Sequence, residues 1–269
     1  MATIMANGLN IAYESHGNPD DPCVLLVMGL GMQLIAWPAD FVEGIVEQGF
    51  RVLRFDNRDS GLSSKMAQGG KPYLPLAYVK NLLGWPLKTS YTLDDMADVA
   101  LGLLAALRIA QAHVIGVSMG GMIAQVMAAR APQQVLSLTS IMSSSGRRGL
   151  PGPTRAARNA LLQRPKRNAS RAELMAHMAA TVRVIGSPAY PVSEKLLYQR
   201  IEAALERGSC PEGVARQMVA IAASGERTAL LPSISCPALV IHGAADPLIP
   251  VACGIDTAAL IPGARLEVI

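Results

Sequence analysis

The sequence predicts an α/β fold, in which a mostly parallel central sheet carries helices on both faces and is interrupted by a helical insertion. Three observations support this fold class. Short runs rich in Val, Ile and Leu alternate along the chain with longer segments of helical composition. An Asn7-Gly8 turn joins two strand patterns at the N-terminus, which adds an antiparallel hairpin. Residues 143–224 contain helical stretches with no strand-like run between them.

The first part of the chain supplies the hairpin, two further strands and two helices. Cys23–Met28 is a continuous apolar run, typical of a central strand covered on both faces. Residues 62–90 are punctuated by Pro and Gly, so we expect them to be irregular. Thr92 caps a helix, because Asp95 follows three residues later as in a capping box. The elements predicted here are strands over 2–6, 9–15, 23–28 and 51–56 and helices over about 34–48 and 92–107.

The second part of the chain alternates again and is split by the insertion. Residues 1–145 and 226–269 are expected to form the core, and residues 146–225 a helical lid. The elements predicted here are strands over 114–117, 135–142, 237–242 and 264–269, core helices over 119–130 and 251–260, and lid helices near 171–185, 193–207 and 211–223.

Composition and charge exclude several classes of protein. Apolar residues make up 51% of the chain and charged residues 16%, which is typical of a globular protein. The net charge of +4 is too small to indicate nucleic-acid binding. Residues 143–172 contain no Asp or Glu but eight basic residues. We expect a solvated surface there, and attraction of an acidic substrate is the alternative. The eight are Arg147, Arg148, Arg155, Arg158, Arg164, Lys166, Arg167 and Arg171.

The cysteines and the N-terminus favour a cytoplasmic protein. Four cysteines lie far apart without C-x-x-C or metal-ligand spacing, as expected for reduced thiols. The first ten residues contain no basic and apolar signal-peptide pattern. No apolar run approaches the length of a membrane span.

The motif that carries chemistry is Gly116-Val117-Ser118-Met119-Gly120, a G-x-S-x-G pattern between an apolar strand and a helix. A serine hydroxyl is a poor nucleophile and must be exposed to a base. A tight strand-to-helix turn exposes it at the cost of strained backbone dihedrals. Glycines two residues to either side let the strand and helix pass closely, and the first amides of the helix favour a developing oxyanion.

These residues, with several other segments, resemble the α/β-hydrolase superfamily along almost the whole chain, and within it the serine esterases related to aclacinomycin methylesterase. The resemblance rests on the segments VMGLG, FDNRDSGLS, YTLDDMADVA, GVSMGGMIAQ and HGAADPLIP. It implies an α/β-hydrolase fold. Because this fold supports many reactions, the substrate is much less specified.

The resemblance also implies roles for particular residues. Ser118 is the expected nucleophile, and Asp246 is the acid that orients a catalytic histidine. The backbone N–H groups of Leu30 and Met119 are expected to form the oxyanion hole. No metal or organic cofactor is required. Four further residues near the catalytic edge are candidates for an apolar substrate pocket, with core packing as the open alternative for the methionines: Met28, Met32, Met142 and Leu248.

The catalytic histidine is expected just beyond Ile269, in a loop that relatives place after the last strand and before a closing helix. His16 and His113 precede strands, so they belong to the opposite edge of a parallel sheet. His242 ends a strand at the correct edge, but relatives do not use it as the base. His177 belongs to the predicted lid and is a minor alternative.

The expected function is hydrolysis of carboxylic esters of small, largely apolar molecules through an acyl-enzyme. Two alternatives stay open. One is another serine-type reaction on the same fold, namely carbon–carbon bond hydrolysis or perhydrolysis. The other is a hydrolase-like binding protein without a catalytic base.

Overall fold

A computed structural model describes residues 1–163, 165 and 168–269 of the chain, without the side chain of Leu82. Its centre is an eight-stranded sheet in the order β1-β2-β4-β3-β5-β6-β7-β8. The pairs β1–β2 and β2–β4 are antiparallel, and the remaining neighbours are parallel, as predicted. The strands are β1 (Ala2–Ala6), β2 (Leu9–His16), β3 (Cys23–Val27), β4 (Arg51–Phe55), β5 (Ala112–Val117), β6 (Val135–Ile141), β7 (Ala238–His242) and β8 (Arg265–Val268).

Helices cover the sheet and fill the segment between β6 and β7. They are α1 (Ala39–Glu47), α2 (Leu74–Leu82), α3 (Leu93–Ala106), α4 (Met119–Arg130), α5 (Arg155–Leu162), α6 (Arg171–Ile185), α7 (Glu194–Arg207), α8 (Pro211–Ser224) and α9 (Val251–Leu260). Within the described residues, none of these helices is both long and apolar enough to cross a membrane.

Strand β3 explains why the sheet needs cover on both sides. Leu25 and Val27 belong to the main core cluster, which includes the buried residues of α3 and α4. Val24 and Leu26 belong to a second cluster with Val42 of α1. Because side chains alternate between the faces of a strand, a continuous apolar run fits only a strand buried on both.

The helices α5 to α8 form an insertion between two strands that are direct neighbours in the sheet. Leu138 of β6 pairs with Ala238 of β7, although the helices lie between them in the sequence. Helices α6 and α7 share a small apolar cluster of their own, centred on Ala179, Leu197 and Ile201.

The predicted helix over 34–48 is wrong in its first part. Leu34–Ala36 form a short 3-10 turn, Trp37 is extended (φ −68°, ψ 120°), and α1 begins only at Ala39. Pro38 is the physical reason, because proline disfavours helical backbone at the residue before it.

The prediction that residues 62–90 are irregular is also wrong in part, and residues 143–170 contain a helix that was not predicted. Residues 74–82 form α2, in which Pro75 lies within the first two positions. Proline is tolerated there, since the N–H that it lacks would have no partner in a helix. Residues 155–162 form α5, whose Thr154 hydroxyl accepts a hydrogen bond from the N–H of Ala157.

Five residues of the basic stretch are described and all five are exposed, which confirms a solvated surface for them: Arg147, Arg148, Arg155, Arg158 and Arg171. Arg164, Lys166 and Arg167 lie outside the described residues. All four cysteines are free thiols, as predicted.

Candidate active site

Ser118 lies at the turn from β5 into α4, in a backbone conformation of φ 55° and ψ −118°. Such a conformation is rare for a residue with a side chain and costs on the order of 1–3 kcal/mol. Ser118 is half-buried, and its Oγ has no hydrogen-bond partner in the described part of the chain. Its carbonyl accepts hydrogen bonds from the N–H of Met122 (3.2 Å) and the hydroxyl of Ser143 (2.8 Å). The turn therefore holds a strained serine with a free hydroxyl.

The flanking glycines are required by close backbone contacts. A Cβ on Gly116 would lie 2.2 Å from the carbonyl oxygen of Gly120. A Cβ on Gly120 would lie 2.0 Å from the carbonyl oxygen of Val27 at the end of β3. Both distances are far below van der Waals contact, so any side chain at either position would push α4 away from the sheet. The predicted role of these glycines is confirmed.

The loop after β3 faces the serine. A Cβ on Gly29 would lie 3.3 Å from Cβ and 3.7 Å from Oγ of Ser118. The N–H of Leu30, the next residue, has no acceptor within the described residues. Met119 is the first residue of α4, and the first N–H groups of a helix have no intrahelical acceptor. One candidate oxyanion donor, Met119, therefore follows Ser118 in sequence, and the other, Leu30, belongs to the loop that lies against Ser118.

Asp246 lies in the turn that follows β7, where its carboxylate is fixed by the backbone. Its Oδ1 accepts hydrogen bonds from the N–H of Leu248 (2.8 Å) and of Ile249 (2.9 Å). Its Oδ2 lies 3.7 Å from Nε2 of His242, and the side chain is 13% exposed. One carboxylate oxygen is thus held by the turn, and the other is left for a further partner.

Hydrogen bonds across the strand ends place the serine and the carboxylate at the same edge of the sheet. The N–H of Ser118 donates to the carbonyl of Ile141 (2.9 Å), and the N–H of Met142 donates to that of Ile241 (2.8 Å). Strands β5, β6 and β7 are parallel neighbours, so their C-terminal ends lie side by side. Ser118 follows the first of these strands and Asp246 the last.

The four histidines occupy three kinds of position. His16 pairs with Val52 at the start of β4, and His113 is the second residue of β5, so both lie at the edge opposite Ser118. His177 is on α6. His242 is fully buried, and its Nε2 donates to the carbonyl of Ile249 (2.6 Å), because a carbonyl can only accept.

The candidate pocket residues have different environments. Met28 is buried in the second core cluster, which favours the core-packing alternative for it. Met32 and Met142 are exposed, and Leu248 is half-buried. Two surface cavities of about 610 and about 650 Å³ are lined by other residues.

The sequence matches a family model described as alpha/beta hydrolase fold over residues 22–269. The chain belongs to this family. Its sheet order, the strained serine after β5 and the carboxylate after β7 agree with that assignment.

Relatives within the α/β-hydrolase family include different hydrolases. The chain is 27% identical to rhodomycin D methylesterase DauP from Streptomyces sp. (strain C5), with 94% of this chain and 85% of that protein covered. It is 28% identical to a 2-hydroxy-6-oxononadienedioate/2-hydroxy-6-oxononatrienedioate hydrolase from Pseudomonas sp, with 96% and 83% covered. The solved enol-lactonase from Burkholderia xenovorans LB400 has a TM-score of 0.74 and 25% identity, with 100% of this chain and 91% of that one covered.

The polar loop after β4, residues 56–61, braces this edge of the sheet through hydrogen bonds to other elements. Asp59 is buried and accepts hydrogen bonds from Arg216 of α8 (2.7 and 2.8 Å), from the hydroxyl of Tyr91 (2.7 Å) and from the N–H of Met66 (2.8 Å). Burial alone raises the pKa of this carboxyl, but the hydrogen bonds from Arg216, Met66 and Tyr91 outweigh it and lower the pKa below its usual value. The carboxylate is therefore a fixed anchor for α8.

Three residues near the site were missed by sequence reasoning. Ser143 follows β6 at the same edge as Ser118, so its position after a strand was the available signal. Gln33 and Gln217 had no such signal, because Gln217 meets Gly31 and Gln33 meets Ala204 only in the folded chain. No group of three or more potential metal ligands clusters among the described residues.

Proposed function

We propose that the protein hydrolyses carboxylic esters of small, largely apolar molecules, with Ser118 as the nucleophile. The observation that carries the proposal is the strained backbone of Ser118. The Oγ of Ser118 is free of hydrogen bonds within the described residues and lies next to Gly29 of the neighbouring loop. Enzymes form such turns to expose a nucleophile at the end of a parallel sheet. The methylesterase relative supports an ester substrate.

In the proposed reaction, Ser118 Oγ attacks the ester carbonyl and passes its proton to a histidine base. The N–H groups of Leu30 and Met119 stabilise the oxyanion, each contributing about 3 kcal/mol in the transition state. The alcohol leaves with the proton from the histidine. Water then passes a proton to the histidine and attacks the acyl group, and the bond to Ser118 breaks as Oγ takes that proton back and the carboxylic acid leaves. Asp246 orients the histidine and stabilises its charged form.

We propose that this base follows Ile269. The N–H of Ile269 donates to the carbonyl of His242 (3.0 Å), and the carbonyl of Ile269 accepts from the N–H of Ala244 (2.7 Å). A segment that continues from Ile269 would therefore leave the sheet beside Asp246. His242 is a poor candidate for the base, since its Nε2–H is already bound to Ile249 in the core.

The test is turnover of p-nitrophenyl acetate and of aryl methyl esters by the protein through its native C-terminus. Ser118→Ala should lower kcat by about six orders of magnitude, as losses in serine triads do. Ser137→Ala is the matched control, because Ser137 lies beside His113 at the opposite edge and should leave kcat unchanged. Turnover that survives Ser118→Ala would disprove the nucleophile. A coding sequence without a histidine after Ile269 would disprove the base.

Carbon–carbon bond hydrolysis is the second candidate, favoured by the dienedioate hydrolase relative. A side-by-side assay with simple esters and a vinylogous diketone acid distinguishes the two. Faster turnover of the diketone acid, still dependent on Ser118, would replace ester hydrolysis by this reaction. Ligand-induced thermal stabilisation without turnover of either substrate would instead indicate a binding protein.

A further inference from the structure

We infer that Gln217 of α8 and Gln33 are positioning residues for the oxyanion loop, which we define as residues 29–34. The inference rests on the proposed function, because this loop matters for catalysis only where a tetrahedral oxyanion forms. Neither glutamine hydrogen-bonds to Ser118. They act through the backbone that carries the N–H of Leu30.

Gln217 holds the residue directly after the proposed donor. The N–H of Gly31 donates to Oε1 of Gln217 at 2.8 Å. Gly31 has φ +67°, and a Cβ there would lie 2.9 Å from Cγ2 of Val214, one turn earlier on α8. The loop is therefore pressed against α8 and bonded to it at the same point. This fixes the peptide next to the one that bears the N–H of Leu30.

The amide of Gln217 can adopt only one orientation. Its Nε2 donates to the carbonyl of Arg58 (2.8 Å) and to Oγ of Ser60 (3.1 Å), and the residue is fully buried. A flipped amide would set its NH₂ against the N–H of Gly31 and its oxygen against the carbonyl of Arg58. Both the oxygen and the nitrogen of the Gln217 side chain are hydrogen-bonded. Gln217 therefore fixes the oxyanion loop relative to the loop after β4.

Gln33 holds the other end of the loop to α7. Its Nε2 donates to the carbonyls of Ala204 (2.8 Å) and Gly208 (2.9 Å). Its Oε1 accepts from Arg207 (2.7 Å), whose guanidinium also binds the buried carboxylate of Asp56 (3.0 Å). The oxyanion loop is thus bound to the insertion at two points, Gly31 and Gln33, through two buried side-chain amides.

This arrangement has a catalytic consequence. An oxyanion donor is effective only within about 2.7–3.1 Å of the developing charge, and a misplacement of about 1 Å can cost about 100-fold in rate. Loss of either glutamine frees the loop without removing a group that touches substrate. We therefore expect an effect on kcat and on tetrahedral adducts, with little effect on KM.

The experiment compares Gln217→Leu with Ser224→Ala. Ser224 is the matched control, because its hydroxyl also joins α8 to the core, at the N–H of Leu93 (2.9 Å), but away from the oxyanion loop. We expect Gln217→Leu to lower kcat by about 10- to 100-fold with KM changed less than about threefold. The affinity for an aryl boronic acid, which forms a tetrahedral adduct on serine, should fall by a similar factor. Ser224→Ala should leave both unchanged.

A second readout does not depend on activity. Amide hydrogen exchange in peptides covering residues 28–34 should become faster in Gln217→Leu and stay as in the wild type in Ser224→Ala. Should Gln217→Leu not fold, Gln33→Leu serves as the same test from the other end of the loop.

The outcomes distinguish the positioning role of the glutamines from the proposed function. Unchanged exchange of the loop, or a kcat within about twofold of the wild type, overturns the positioning role, and so does an equal loss of kcat in Ser224→Ala. Faster exchange in a protein whose turnover does not depend on Ser118 would leave the coupling in place and refute the proposed function instead.

Discussion

Helix α8 and the pair formed by α6 and α7 belong to the same insertion but are held in different ways. Arg216 and Gln217 of α8 are buried and bind the loop after β4 and the oxyanion loop. The α6–α7 pair packs on its own small apolar cluster and carries exposed ion pairs, such as Arg183 with Glu194. Buried polar contacts fix a geometry, whereas exposed pairs contribute little. Helix α8 therefore belongs to the insertion by its position in the sequence, but its hydrogen bonds attach it to the edge of the sheet that carries Ser118.

The largest effect is expected from Arg216→Met. The substitution leaves the carboxylate of Asp59 buried without its cation, which typically costs about 3–5 kcal/mol. Urea denaturation measures the loss. If the unpaired charge is the cause, Arg216→Met combined with Asp59→Asn should lose less than Arg216→Met alone. A double variant that is less stable than the single one would contradict this account.

Leu197→Ala should have a smaller effect, confined to the α6–α7 pair. Leu197 is 5% exposed in the small cluster, and Leu→Ala in a core costs about 2–5 kcal/mol. We expect the lower part of that range, with faster amide exchange in α6 and α7 but not in α8. Leu104→Ala in the main core is the matched control and should speed exchange throughout. Faster exchange of α8 in Leu197→Ala would mean that the insertion opens as one unit.

Stability should also depend on pH through Asp59. Because its folded-state pKa lies below the usual value, the carboxylate contributes stability that is fully present above its unfolded pKa of about 3.9. That contribution is lost as pH falls through the folded-state pKa. Unfolding free energies measured between about pH 6 and 3 should therefore fall less steeply in Asp59→Asn than in the wild type. Parallel curves would exclude Asp59 as a source of the acid sensitivity.

The smallest effect is expected from Arg183→Ala. Arg183 and Glu194 form an ion pair whose side chains are 45% and 62% exposed. Exposed pairs typically contribute about 0–1 kcal/mol, and salt screens them. Denaturation at low and high salt should show a loss within that range that shrinks as salt is added. A loss as large as that of Arg216→Met would remove the distinction between the two parts of the insertion.

The sequence by itself determined the fold class, the strand-to-helix turn at Ser118 and the strands that precede Ser118 and Asp246. These features depend on local patterns, namely apolar runs, turn residues and glycines at close contacts, so they can be read from neighbouring residues. The irregular conformation predicted for residues 62–90 from their Pro and Gly content was wrong at residues 74–82, because Pro75 lies in the first turn of a helix, where proline is tolerated.

Only the tertiary structure decided which parts of the insertion reach the site. Gln33, Gln217 and the Arg216–Asp59 pair are residues of ordinary type in ordinary sequence contexts. Their roles arise from buried hydrogen bonds between segments more than 150 residues apart. A hydrogen-bond partner at that separation depends on the packed geometry of the whole chain, and no local pattern records it.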